Sequence, residues 1–359
     1  MYLNLFELRR GSLPCSMIRM RYGMRYSGIG GQAVMEGVMM KNDSRYAVAV
    51  RRPDHEIEVK KNEYQGIVKN KTVRRCPIVR GVVNFIESLY LGMNTLMYSA
   101  SFYEEDEKSE KAERETMTEE ERDELAQKEK RQEKLLMGGT VAFSIVLALA
   151  VFFALPYFLS GLFRRWIESE LLLALMEGVI RLVIFLAYVV LISLTPDIRR
   201  VFMYHGAEHK CINCIENGLE LNIENVRASS RRHKRCGTSF LLIVMLISIL
   251  VFMFIRVDSR ILRLLLRLLL IPVIAGISYE FIRLAGRYDN WLVNLFSLPG
   301  LWMQRLTTRE PDDEMIEVGI ASVNAVFDWK KWQSEAGGQG IRYDISRGNG
   351  TGGKDSWQG

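Results

Sequence analysis

Tyr204-His205-Gly206-Ala207-Glu208-His209-Lys210-Cys211-Ile212-Asn213-Cys214, echoed by His233-Lys234-Arg235-Cys236-Gly237, lies between long apolar runs on both sides. Three of the four histidines and three of the five cysteines fall between His205 and Cys236. A polar segment rich in metal ligands, hung between membrane-length apolar stretches, decides the fold class. Residues 138–163 and 171–194 each exceed the roughly 20 residues that cross a bilayer. Residues 239–255 are short but sufficient, and 261–285 are long and interrupted by arginines. The expectation is a mainly α polytopic membrane protein with four transmembrane helices, a small cytosolic N-terminal β-hairpin region and cytosolic helices.

Orientation follows from charge. Residues 197–238 carry eight Lys and Arg, against two in the short loop 164–170. Positive-inside counting places 197–238 in the cytosol, and four spans then place both termini there. The expected location is the cell (plasma) membrane, multi-pass. Residues 1–31 hold no apolar run long enough for the h-region of a signal peptide.

The rest of the composition agrees. Hydrophobic residues make up 48% of the 359 and charged residues 25%, and the two classes are segregated into blocks. The net charge of +6 needs no nucleic-acid partner, because Lys and Arg collect in cytosolic loops. No basic patch interleaved with aromatics argues for nucleic acid either. Five cysteines is an odd and sparse number for a disulfide scaffold.

Working outward, residues 1–27 form an arm. Residues 28–103 read as a cytosolic β-hairpin plus amphipathic helix. The glycine-rich stretch 28–37 reads as a packed loop, since no strand precedes it and no G-x-G-x-x-G spacing fits. Alternation over 45–51 resumes at Ile57 and Val59 after Pro53-Asp54, which makes a hairpin with His55 at its turn. A helix over 78–103 carries Val82, Phe85, Ile86, Leu89, Met93, Leu96 and Met97 at helical spacing. Such a stripe is core, a partner-helix contact or an interfacial face. Residues 104–134 form a charged helical linker, with Thr118 and Glu121 as a capping box. The membrane domain spans 135–310 and contains the metal-ligand loop 196–238. Within it, residues 291–302 are too short to span and read as interfacial. A C-terminal helix occupies 311–334, and the Gly-rich tail 335–359 is expected to be disordered.

Thr195-Pro196 starts a helix and Asn217-Gly218 stops it. Ile198, Val201, Phe202, His205, Glu208, His209 and Ile212 then share one face. Two histidines at i and i+4 reach one zinc ion. His-x-x-Glu-His is the inverted zinc-protease arrangement, with Glu as general base beside two His ligands. That chemistry needs a third ligand. Glu280, near the cytosolic end of the fourth apolar segment, is a candidate. A competing reading takes Cys211-x-x-Cys214, eighteen residues, then His233-x-x-Cys236 as a four-ligand structural module. On a continuous helix those cysteines point away from His205 and His209. A hybrid would join Cys214, His233 and Cys236 to one of the histidines. The plain alternative is a packed histidine pair with inert cysteines. Glu177 and Arg181, at i and i+4, are expected to pair inside the bundle. The basic run 231–235 suits lipid headgroups or marks topology.

Four motifs, in order, carry a resemblance. These are residues 30–40, 204–210, 233–240 and Thr307-Thr308-Arg309-Glu310-Pro311-Asp312. Together they resemble the bacterial domain of unknown function 1385 family, over roughly residues 28–330. The resemblance implies an integral membrane protein, described as a predicted metal-dependent enzyme. His205, Glu208, His209, Cys214, His233 and Cys236 match the family pattern, whereas Cys211 falls where cysteine is atypical. That favours the hybrid site over the four-ligand module. Lys234 stands where the pattern has proline.

The reading is a hydrolase-like metal-dependent enzyme at the cytosolic membrane face, with Glu208 catalytic. Zinc or another divalent metal would be held by His205 and His209, with Glu280, Cys214, His233 and Cys236 as further ligands. The alternative is a non-catalytic, zinc-stabilised scaffold. Its partners would be the lipid bilayer and a membrane or cytosolic protein docking on helix 119–134 or 312–332. A transporter is a weaker reading, because no inverted repeat is visible.

Overall fold

A computed structural model of the chain describes residues 26–68, 76–103, 119–255, 257, 259–287 and 291–337. The arm before residue 26, the stretch 104–118 with its Thr118 cap and the tail after 337 lie outside the described residues.

The chain opens on an antiparallel sheet of β1 (Ile29–Val34), β2 (Gly37–Asn42), β3 (Arg45–Arg51) and β4 (Ile57–Glu63), paired in sequence order. The expected hairpin is β3–β4. The glycine stretch expected as a loop is instead β1 and the turn into β2. Glycine misleads here because its role is close approach rather than a bend. A Cβ on Gly31 would lie 2.8 Å from Met40 Sδ and 2.9 Å from Glu208 Cγ. The turns place Glu36, Asp43 and His55 at positive φ.

α1 (Val79–Ala100) covers one face of the sheet, where Val34, Met39, Val48, Val50 and Leu91 form a core. Its inward residues are small or polar: Gly81, Glu87, Gly92, Thr95 and Ser99 are buried with Leu91. Of the apolar stripe, Ile86, Leu89, Met93 and Leu96 are exposed, whereas Val82, Phe85 and Met97 are half-buried, with Phe85 against Phe240. For the four exposed residues core is therefore excluded. α1 sits on glycine because it crosses another helix closely.

After the described gap, α2 (Glu119–Leu149) runs without a break from the charged linker into the first apolar segment. It continues through a π-helical turn (Ala150–Ala154) into α3 (Leu155–Leu162). α4 (Glu170–Ile192), α5 (Pro196–Glu216), α6 (Ile223–Ala228), α7 (Gly237–Met253), α8 (Arg260–Arg287), α9 (Trp291–Thr307) and α10 (Asp313–Val326) follow. α11 (Trp329–Gly337) belongs to a separate unit that begins at Asp328.

Among the described residues, three helices are long and apolar enough to cross a membrane: Gly138–Arg165, Glu170–Ile192 and Ile261–Ala285. The remaining expected span, 239–255, falls largely in the 17-residue apolar helix α7. Only 6% of the first apolar window is buried, and exposed Phe143, Val146, Phe158, Val183, Leu191 and Leu269 present an apolar surface suited to lipid. The segment expected as interfacial is the start of α9, with Trp291 and Trp302 both exposed.

α1 crosses α8 where Gly81 meets Gly276: a Cβ on Gly81 would lie 2.9 Å from Gly276 Cα. Such small-residue crossings let helix backbones approach without a hydrophobic driving force. Asn84 Nδ2 donates to Tyr279 Oη at 2.7 Å, and Arg80 forks onto Glu280 beside the crossing. α10 packs along β2 and β3, and the Ser322 hydroxyl donates to Ala47 O at 3.2 Å. The C-terminal helix offered above to a partner thus spends its buried face, including Ile316, Val318, Val323 and Val326, on its own sheet and on α5.

Gly276→Leu is expected to force α1 off α8 and cost about 1–3 kcal/mol, the usual scale of overpacking. Thermal unfolding in detergent measures this. Gly30→Ala, whose added methyl meets nothing within 4 Å, serves as the unchanged control.

Candidate metal centre

α5 begins and ends where the sequence signals say. Thr195 is its N-cap with Pro196 in the first turn, and Asn217 ends it ahead of Gly218 at φ 73°. Its environment is not that of a one-sided amphipathic helix, because every residue from Gly206 to Glu216 is buried. Glu208, His209, Lys210, Asn213 and Glu216 are among them. Burying such groups is costly unless each finds a partner.

Most of the partners come from two strips of backbone, and Lys210 also pairs with Glu310 at 2.9 Å. Lys210 Nζ donates to Arg227 O at 2.8 Å and Ser229 O at 3.0 Å. Asn213 Nδ2 donates to Ser230 O at 2.6 Å and Arg232 O at 2.9 Å. On the other side Arg309 N donates to Phe202 O at 2.8 Å. Gly206 leaves no room for a Cβ against Arg309 O. The Thr307–Asp312 motif therefore lies directly on α5, and Gly206 is the residue that admits it.

Those strips also set the histidines. His205 Nδ1 lies 2.9 Å from Thr307 O, and His209 Nδ1 lies 2.7 Å from Arg231 O. A carbonyl only accepts, so each Nδ1 carries a proton and each Nε2 is left for another partner. His205 Nε2 is 3.2 Å from Cys236 Sγ, and the two imidazole centroids are 4.4 Å apart. One donor atom each from His205, His209 and Cys236 falls within 4.8 Å of the others. Cys236 is the N-cap of α7 and accepts from Thr238 N at 3.4 Å. A helix N-terminus favours a thiolate.

The electrostatics match. Burial pushes the Cys236 thiol up, but the imidazoles of His205 and His209 outweigh it and hold the thiol well below its ordinary value. Burial lowers His205, yet the facing Cys236 and Glu208 bring it up to about 9. Burial raises the Glu208 carboxyl, opposed by His209 and His205. Two imidazoles and a thiolate are donors suited to zinc. Backbone carbonyls holding both Nδ1 protons are the outer contacts that orient metal-binding histidines. The donor set therefore fits a zinc-like ion.

The other sequence candidates lie elsewhere. Cys214 Sγ donates to Glu220 O at 3.3 Å. Cys211 is buried where α10 presents Gly319, whose added Cβ would lie 2.9 Å from Sγ. α5 is continuous, so neither cysteine turns toward His205, and the four-ligand module is not assembled. His233 stacks beside His209 with centroids 5.8 Å apart, but its Nε2 faces Glu216 Oε2 at 3.4 Å. Its backbone is clamped by Gln304, which accepts from His233 N at 2.8 Å and donates to His233 O at 2.7 Å. Glu280 is occupied by Arg80 and lies 3.6 Å from Arg283. Position near a span end could not reveal that Arg80, 200 residues earlier, claims it.

Glu216 and Gln304 were not legible as site residues. Glu216 accepts from Ser27 N at 3.0 Å and Ser27 Oγ at 2.7 Å, and also binds Arg235. Burial alone would raise its carboxyl. Hydrogen bonding from His233, the Arg235 charge and the Ser27 amide instead hold it down to about 2. His233 itself is pushed below its ordinary value by burial, so Arg235 is the charged partner. A depressed carboxyl stabilises the fold above the unfolded carboxylate pKa of ~4.3 and loses that stabilisation as pH falls toward 2. Glu216→Gln is expected to cost roughly 3 kcal/mol at pH 7 and to flatten the acid limb of stability against pH. Denaturant unfolding between pH 3 and 7 checks both.

No solved structure matches the chain. The uncharacterized protein YqhQ of Bacillus subtilis (strain 168) is 37% identical over 303 residues, which is 83% of this chain and 92% of that protein. The family model described as protein of unknown function (DUF1385) matches residues 76–329, from just ahead of α1 to the end of α10 and just beyond. The chain belongs to the DUF1385 family.

Proposed function

We propose that this protein is a metal-dependent, hydrolase-like membrane enzyme whose metal is zinc, held by His205, His209 and Cys236. The observation that carries the reading is the convergence of those three donor atoms within 4.8 Å. Each histidine is fixed through Nδ1 by a backbone carbonyl. Three protein ligands leave a fourth position for substrate, the pattern of catalytic rather than structural zinc. A bound ion would supply Lewis acidity, polarising a carbonyl or phosphoryl oxygen. Glu208 is the proton acceptor: it follows His205 by one helical turn, is buried, and has its carboxyl raised by burial toward the range a general base needs. Gly31 keeps β1 close enough to seal that carboxylate from bulk water. Lys210 and Asn213 hold the 227–232 strip, and with it the carbonyl that aims His209.

Four spans are proposed, with α7 as the fourth, in the plasma membrane. Its 17 residues extend about 25 Å at 1.5 Å per residue, close to the hydrocarbon thickness. The eight Lys and Arg in 197–238 favour a cytosolic site and cytosolic termini. The exposed stripe of α1 supports a lipid-facing helix. A second reading, a zinc-stabilised scaffold, is favoured by the depth of the donors, since His209 and Cys236 are 1% and 5% exposed. In that reading the charged 119–134 part of α2 is the surface offered to a protein partner.

Elemental analysis of detergent-purified protein is expected to find one zinc per chain. His205→Ala, His209→Ala and Cys236→Ala should each lose it, while Cys211→Ala, Cys214→Ala and Glu280→Gln retain it. Glu208→Gln should keep the metal; its loss there would make Glu208 a ligand and sink the general-base role. Single cysteines placed at residue 168 and residue 219 of a cysteine-depleted chain should react with a membrane-impermeant maleimide only at 168 in intact cells. The reverse pattern would invert the topology.

A further inference from the structure

At the far end of the bundle from His205, a cavity of about 860 Å³ opens between α3, α4, α8 and the end of α7. Its wall carries Arg164, Arg263, Arg267, Glu170 and Glu177 amid leucine, isoleucine and phenylalanine side chains. α7 separates the two places, starting at Cys236 and ending at the cavity with Met253.

The charges form two rungs. Glu170 and Glu177 are seven apart on α4, and Arg263 and Arg267 are four apart on α8, so each pair shares a helix face. Glu170 is bound by Arg164 at 2.6 Å and Arg263 at 2.9 Å. Glu177 is bound by Arg181 at 2.6 Å and by Arg267. Among the described residues, four guanidinium groups therefore share two carboxylates. The inner rung is deep: the Arg181, Arg267 and Glu177 side chains are 1%, 4% and 4% exposed. Buried Arg267 Nε has no hydrogen-bond partner among the described residues.

The inner arginines are held in place. Arg181 Nε donates to Phe152 O at 2.9 Å, a carbonyl in the π-helical turn. Both guanidinium groups stand over the Phe252 ring, at 4.9 Å and 5.3 Å. Uncompensated positive charge at this depth is costly. A metal cation would make it worse. An anion with several oxygens would relieve it and satisfy the orphan Nε; planar guanidinium forks match carboxylate and phosphate alike, and phosphate offers more oxygens to the two rungs.

We propose that this cavity binds a phosphate group, carried by a lipid headgroup or free, with Arg263 and Arg267 as its principal donors. The apolar wall around the rungs gives an acyl chain a place to lie. The proposal is independent of the metal centre.

Native mass spectrometry of the full-length protein in detergent tests it, with dioleoylphosphatidylglycerol, dioleoylglycerol and inorganic phosphate as separate probes. One phosphate-bearing probe should bind per chain, at least tenfold more tightly than dioleoylglycerol. Phosphatidylglycerol without competition by inorganic phosphate assigns a headgroup; binding of inorganic phosphate alone assigns the free ion. Arg267→Gln should weaken binding at least tenfold. Glu177→Gln, which removes a competing carboxylate, should strengthen it severalfold, a gain that misfolding cannot produce. Equal binding of dioleoylglycerol, no binding of any probe, or equal loss in both variants would overturn the proposal.

Discussion

Everything around the candidate site depends on one constraint: the C-terminal half of α5 is polar and yet buried on all sides. A helix that buries Glu208, His209, Lys210, Asn213 and Glu216 gains little from apolar contact and must satisfy its side chains by hydrogen bonding. The chain meets the demand largely with backbone, with side chains added for Lys210, which pairs with Glu310, and for Glu216, which takes Arg235 and the Ser27 hydroxyl. Carbonyls of residues 227–232 take Lys210, His209 and Asn213, and Thr307 O takes His205. Two segments distant in sequence are thereby fixed to one helix, and the histidines receive their tautomers from the same contacts that hold the fold.

This arrangement links local sequence to chemistry. Because both Nδ1 atoms are committed to carbonyls, both Nε2 atoms turn toward Cys236, whose place at the start of α7 favours a thiolate. Glycines make the approach possible: Gly206 admits Arg309, Gly31 admits Glu208, and Gly319 admits Cys211. The sheet on one side and α10 on the other then close the helix off from water. Glu36 joins in from the β1–β2 turn, where it accepts from Arg200 and from Tyr204 Oη on α5.

Much of this was legible in the sequence where one local signal controls one outcome. Hydropathy located the apolar helices, because length and composition alone set membrane compatibility. Thr195-Pro196 and Asn217-Gly218 set the ends of α5, because caps are local. Glu177 and Arg181 pair as their spacing implies, although Arg267 as a second partner for Glu177 was out of reach. Where the outcome is set by residues far away, the signal failed. Glu280 looked like a ligand because nothing near it shows Arg80. The α1 stripe stayed open between core, partner-helix contact and interfacial face because periodicity does not say which medium a face meets, and here the glycine face turns inward. β1 looked like a loop because glycine signals bends as well as close packing. Cys236 ranked no higher than Cys214, since only the helix geometry separates them, and Glu216 carried no motif at all.

His205, His209 and Cys236 offer a metal two imidazole donors and one sulfur. X-ray absorption at the zinc edge, on purified protein loaded with one zinc per chain, measures that donor set directly. A single Zn–S distance of about 2.3 Å is expected, with the remaining shell of nitrogen or oxygen at about 2.0–2.1 Å. Two or more sulfur neighbours would return Cys211 or Cys214 to the site, and an all-oxygen shell would place the metal away from α5; either result would contradict the account.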